Sequence, residues 1–249
     1  MRRDGAIGGG SEPALLLAPG LFFLVVLFFL PVGLLVAESF VTVTEEGQRT
    51  LSMAHYLRFF ADEYYLGVMW RTFRLSLVIT LVTLALGYPI AYIMARSAAW
   101  VALWLGILVI MPLMVSVVIR TFGWMVLMGR GGLLVDLAQW FGIGGRRFQL
   151  MRTEAGVVIA LGQVLLPFMT LTLYGVIAGV DRRLEEAART MGAGFFGTLW
   201  RVTVPLSLPG IVSGSLLVFA LSISSFITPA LVGGVRLPTL ASSIYQQAL

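Results

Sequence analysis

Few side chains in this sequence can make or break a bond. There is no cysteine, so thiolate nucleophiles, disulfides and Cys-ligated metals are excluded, and the one histidine, His55, cannot build a His-rich metal site. No Asp or Glu falls in the middle of an apolar run, which leaves an intramembrane enzyme without a nucleophile, base or metal set. All 17 basic residues are arginine. A phosphate-binding P-loop needs a lysine that reaches the β- and γ-phosphates. Any use of ATP therefore falls to a separate chain. What the sequence does hold is one dense polar stretch between two apolar runs, with Asp181, Arg182, Arg183, Glu185, Glu186 and Arg189.

Residues 182–191 of that stretch combine strong helix formers with charges and read as a short exposed helix. Ala187 and Ala188 give it a smooth patch that another backbone can approach. Gly192 and Gly194 permit positive φ and turn the chain. A second short helix over about 195–202 carries Phe195, Phe196, Leu199 and Trp200, and is expected to end before Pro205 and Pro209. Two readings fit: a plug for a groove on a partner protein, or an amphipathic connector lying on the lipid surface.

The elements that carry this stretch are membrane spans. The 249 residues are 59% hydrophobic and 12% charged, where soluble domains carry about 25% charged residues. The net charge of +5 does not imply a nucleic-acid partner, because the arginines are scattered along loops and form no soluble face. Residues 1–12 read as a polar cytoplasmic tail, followed by a single transmembrane domain over 13–249. Residues 14–37 are uncharged and reach about 36 Å as a helix, enough to cross. They exceed a signal-peptide core and lack a small-x-small site before Glu38, so they are read as a retained span. An external segment follows, with a short helix near 53–61. Further spans are expected over 75–95, with Arg71 and Arg74 snorkelling at its entrance, over 100–128, 155–179 and 210–232. The fold class is thus all-α, a polytopic helical bundle with five spans. Counting arginines on either side of these spans gives seven against seven, so the positive-inside rule assigns no orientation.

The spacing of Glu186, Ala187, Ala188 and Gly192, then nine residues, then Val202, Val204 and Pro205, resembles the E-A-A-x-x-x-G and I-x-L-P loop of binding-protein-dependent ABC importer permeases. Valine at both aliphatic positions is a mild departure. The resemblance favours the plug over the connector. It implies a type I importer subunit in the bacterial inner membrane, whose 180–209 loop is cytoplasmic and docks on an ATPase. Glu185, Glu186, Ala187, Ala188, Gly192 and Pro205 would then couple the two chains. It further implies a second permease subunit, an extracytoplasmic solute-binding protein, surrounding lipid and no cofactor. Such permeases usually have six spans with both ends inside, so five spans are read as a chain cut short of its sixth.

Residues 111–112 (MP), 117–124 (VVIRTFGW), 131–134 (GGLL), 225–234 (SFITPALVGG) and 244–249 (IYQQAL) resemble the spermidine/putrescine branch, parts of which iron(III), opine and phosphonate permeases share. A polyamine is the solute this implies. Arg120, costly in an apolar run unless paired or hydrated, has two readings: a gate on the pathway, or an arginine snorkelling past Trp124. Tyr88, Tyr92, Trp124 and Phe226 offer π-faces to an ammonium group, or pack as ordinary core. Ser222 and Ser225 line a polar seam, or bond back to their own helix. A secondary transporter is the rival outside this class, but it would show intramembrane acids or two matched repeats of broken helices.

Overall fold

The computed structural model describes residues 12–43, 48–142 and 149–248. The expected tail up to residue 11, and Arg146 and Arg147, lie outside them. The chain divides into two compact units, residues 1–66 and 67–249.

In the first unit, α1 (Glu12–Leu24), a π-helical turn (Val25–Phe29) and α2 (Leu30–Ser39) form one uninterrupted helical run. Pro31, which has no N–H to give, sits one residue beyond the wider turn, in the first turn of α2, where its missing bond costs least. Large apolar side chains stay exposed along the run, Phe22 at 71%, as suits a helix that hydrocarbon covers. A pair of short strands, not expected in the external segment, follows: β1 (Val41–Val43) pairs antiparallel with β2 (Arg49–Leu51), Val41 opposite Leu51. The short helix near 53–61 is present as α3 (Ala54–Ala61). His55 points back at the hairpin, its Nε2 3.3 Å from the Val41 carbonyl.

The long helix α4 spans Glu63–Arg96. It starts well before the expected residue 75, because hydropathy marks only the apolar part of a helix and not its interfacial turns. The expected third span over 100–128 is not one helix. It is α5 (Ala99–Ile110) running into a 3-10 turn (Met111–Met114), then α6 (Val117–Met128), with the non-helical residues Val115 and Ser116 between turn and α6. Pro112 has no N–H to give to the preceding turn, and its own carbonyl, beyond which the helix stops, accepts from the Val115 N–H at 3.3 Å and from the Arg120 guanidinium, Nη1 at 2.5 Å. The arginine thus caps a break in its own span. After α7 (Leu133–Trp140) comes α8 (Glu154–Gly179), with Thr153 as N-cap accepting from the Gly156 N–H at 3.1 Å.

Then follow α9 (Arg182–Thr190), α10 (Phe195–Thr198), a π turn (Leu199–Thr203), α11 (Val204–Leu206) and α12 (Leu208–Ser224). A π turn (Pro229–Gly233), a 3-10 turn (Gly234–Arg236) and α13 (Leu240–Ala248) complete the described chain. Contrary to the expectation, Pro205 does not end the second short helix. Helical backbone continues past it, because the preceding π turn already lacks the regular ladder that a proline would break. The chain bends instead at Ser207, by 67° between 195–206 and 208–224. Among the described residues, four helices are long and apolar enough to cross a membrane, and five if that bent pair is one span.

The core of the second unit is built around α8, whose Leu161, Met169, Leu173 and Ile177 are fully or nearly fully buried. Close approach of α12 is set by Gly210, where a β-carbon would lie 2.8 Å from the Val176 Cβ. Hydroxyls along α4 and α8 bond back to their own helices, Thr72 to Val68 and Thr172 to Phe168 at 2.8 Å each. These two need no water, whereas the buried Thr170 hydroxyl on α8 has no hydrogen-bond partner among the described residues.

Candidate coupling site

The polar stretch sits at the end of the second unit where α4 and α8 finish and α12 begins. Asp181 caps α9, its carboxylate accepting from the Arg183 N–H at 2.9 Å. Glu185 in the first turn and Arg189 in the last complement the helix dipole. The helix ends in a Schellman motif. The Ala193 N–H donates to the Ala188 carbonyl and the Gly192 N–H to the Arg189 carbonyl, both at 3.0 Å, with Gly192 at φ +89°. That geometry explains the glycine of the sequence motif: the left-handed residue that closes a helix has to tolerate positive φ.

The two adjacent glutamates do different things. Successive residues on a helix diverge by about 100°. Glu186 is exposed with Ala187, while Glu185 is turned inward and only 4% exposed. Its Oε1 accepts from the Arg96 Nε at 3.0 Å, the Arg96 Nη2 at 2.8 Å and the Thr203 Oγ1 at 3.0 Å. The Tyr92 hydroxyl donates to its Oε2 at 3.4 Å. Arg96 also donates to the Val180 carbonyl at 3.2 Å, and Arg182 to the Ala95 carbonyl at 2.8 Å. These arginines satisfy carbonyls at a helix end that would otherwise lack partners. Ala188 is buried too, so the expected smooth patch of two alanines is split, with only Ala187 facing out.

Tyr88 and Tyr92 lie on the same face of α4 as Arg96, four residues apart. The Tyr88 hydroxyl is 3.0 Å from the Ser207 Oγ, at the bend that starts α12. The Tyr92 ring lies edge-on to Phe195, centroids 6.0 Å apart. One stripe of α4 therefore holds the polar stretch near its beginning and at its end. Sequence reasoning missed Arg96, Arg182 and Thr203. The available signal was a lone arginine closing one span, opposite a loop with two adjacent acids. A small cleft of about 190 Å³ remains beside the pair, lined by Tyr92, Arg96, Arg182, Glu185, Glu186 and Arg189. Outside it, Met191, Phe195, Phe196 and Trp200 are exposed, Met191 at 82%. Pro205 is exposed as well.

The residues expected along a pathway are not gathered in one place. Tyr88 and Tyr92 face the polar stretch. Arg120 serves the broken span, and the Trp124 indole N–H donates to the Gln163 side chain at 3.3 Å. Ser222 is buried near the end of α12, its hydroxyl without a hydrogen-bond partner among the described residues. Ser225 closes that helix in extended conformation. Phe226 packs against Tyr245, ring centroids 4.4 Å apart. A larger apolar groove of about 670 Å³ between α5 and α8 includes none of these seven. Among the described residues, no group of three or more His, Cys, Asp and Glu could hold a metal ion.

Comparison with known proteins fits this arrangement. Residues 87–248 match the family described as binding-protein-dependent transport system inner membrane component. The spermidine/putrescine transport system permease protein PotB of Escherichia coli K12 is 33% identical over 216 residues, covering 86% of this chain and 78% of that protein. PotB of Haemophilus influenzae is 32% identical over 231 residues, covering 91% and 80%. In fold alone, a chain from the crystal structure of the bacterial alginate ABC transporter is similar. That transporter is in complex with an alginate pentasaccharide-bound periplasmic protein, and the likeness has a TM-score of 0.73 at 17% identity, over 96% of this chain and 83% of that one. An E-A-A loop anchored at one end of a helical membrane bundle and a family match over 87–248 lead to one conclusion: the chain belongs to the inner membrane permease components of binding-protein-dependent ABC importers.

Proposed function

We propose that this permease subunit forms half of the translocation path for a polyamine and is driven by an ATPase chain that docks on α9. The carrying observation is the two-faced α9. Its inner face is tied to the bundle through Glu185, and its outer face presents Glu186, Ala187 and the nearby Met191 and Phe196. A helix held on one side and free on the other is a handle. The sequence has no lysine for a P-loop of its own, so the free side is where a nucleotide-hydrolysing partner engages. Glu186, Ala187, Gly192 and the exposed aromatics form the contact. A second permease subunit completes the path, and a solute-binding protein delivers the solute on the opposite side. ATP shifts the equilibrium only if the ATPase binds one arrangement of the permease pair better than the other.

The polyamine assignment rests on likeness to two spermidine/putrescine permeases over most of the chain. No carboxylate lies in mid-span to meet a polycation, so discrimination among solutes falls to the binding protein or the second permease. Binding of putrescine, spermidine and iron(III), side by side, to the solute-binding protein encoded with this chain tests the assignment. Polyamine binding with uptake that requires this subunit supports it, and iron-only binding refutes it.

A further inference from the structure

We infer that Glu185 is a latch: a positioning residue that makes α9 a rigid extension of α4 and of the turn leading into α12, and that does not itself touch the ATPase. The inference rests on the ATP-driven reading above and assigns that site a part the motif does not name, since the motif's own glutamate is Glu186.

Little else holds α9. Only Glu185 and Ala188 of its nine residues are buried. A single methyl gives a helix almost no apolar grip, so its placement depends on polar contacts. Glu185 makes four of them, to groups on two other elements: Arg96 and Tyr92 on α4, and Thr203 on the π turn that runs into α11. All three bonds that converge on Oε1 share one oxygen, so a displacement of α9 cannot be taken up by sliding along one partner. The Arg96–Val180 and Arg182–Ala95 bonds close the same joint from either side. Tyr88, two turns back along the α4 stripe, reaches Ser207 at the bend. A pull on α9 is thereby shared between α4 and α12. A handle hinged only through its flanking loops would pivot and spend the motion there.

The test uses the assembled transporter in membrane vesicles, with ATPase subunits and binding protein present and spermidine as the probe. Glu185→Gln and Arg96→Gln are made singly and together. The ATPase subunit should co-purify with all three. Solute moved per ATP hydrolysed should fall roughly tenfold in each single variant and recover in part in the double, which leaves no buried charge unpaired. Loss of the ATPase subunit in the single variants would make Glu185 a docking contact and overturn the latch, as would an unchanged ratio. Should the glutamine variants fail to insert, Thr203→Val and Tyr92→Phe each remove one hydrogen bond without stranding a charge. Both should lower the ratio by less, and no change in either overturns the proposal. Amide exchange across 182–190 without ATP separates the two levels of inference. Faster exchange in Glu185→Gln, in a system whose wild type shows no ATP-dependent spermidine uptake, supports the latch and defeats the proposed polyamine function. Unchanged exchange defeats the latch.

Discussion

Two arginine–glutamate pairs in the second unit share a chemistry and differ in energetics. Arg74 and Glu154 are paired with side chains 51% and 39% exposed, a setting in which an ion pair contributes about 0–1 kcal/mol. Arg96 and Glu185 are 12% and 6% exposed, and removing one partner strands the other, at a cost of about 3–5 kcal/mol. Arg74→Ala should therefore cost no more than about 1 kcal/mol, and Arg96→Ala clearly more. Thermal unfolding of both variants in one detergent checks the ordering, and equal losses contradict it. Gly192 is the second residue whose role is local. At φ +89°, a β-branched side chain costs on the order of 1–2 kcal/mol or more, whereas asparagine tolerates the left-handed region. Gly192→Val should abolish uptake with insertion intact and Gly192→Asn should retain much of it, as read by transport assays on matched amounts of inserted protein. Equal activity in the two would remove the Schellman geometry from the account.

Among the elements, α8 organises the second unit, and glycine sets how closely α12 can lie against it. A β-carbon at Gly210 would sit 2.8 Å from the Val176 Cβ, while at Gly175 nothing lies within 4 Å. Gly210→Ala is expected to destabilise by about 1–3 kcal/mol through overpacking. Gly175→Ala should cost nothing and gain up to about 1 kcal/mol of helix propensity. Opposite shifts in melting temperature are the expected result; parallel shifts would mean that the α8–α12 contact is not where the first substitution acts. The broken third span shows the same economy in polar groups. The helix stops short of Val115 and Ser116, so the Pro112 carbonyl has no donor four residues on, and Arg120, eight residues on, donates to it beside the Val115 N–H. A charge that looks expensive in an apolar run is there partly to satisfy the backbone of that run.

At the scale of the whole molecule, the proposed function turns on the outward face of α9. Glu186→Lys reverses a charge on the outward face of α9 and leaves the Glu185 joint intact. It should reduce recovery of the ATPase subunit in pull-downs about tenfold without changing how much permease is inserted; full recovery would move the contact elsewhere. Much of this molecule was legible from its residues in order. Helical membrane class, the extent of α8, the short helices α3 and α9 and the glycine that ends α9 all follow from hydropathy, helix period and local backbone preference, which depend on neighbours in the chain. The hairpin was missed because its strands are three residues each, too short for alternation to register. The break at 111–116 was hidden inside continuous apolarity. What only the tertiary structure decided is which of two adjacent glutamates is internal and what receives it. Glu185 and Arg96 are 89 residues apart, and a carboxylate can be buried only where packing brings a guanidinium to it. Local spacing marks where the handle is, and long-range packing determines how it is fastened.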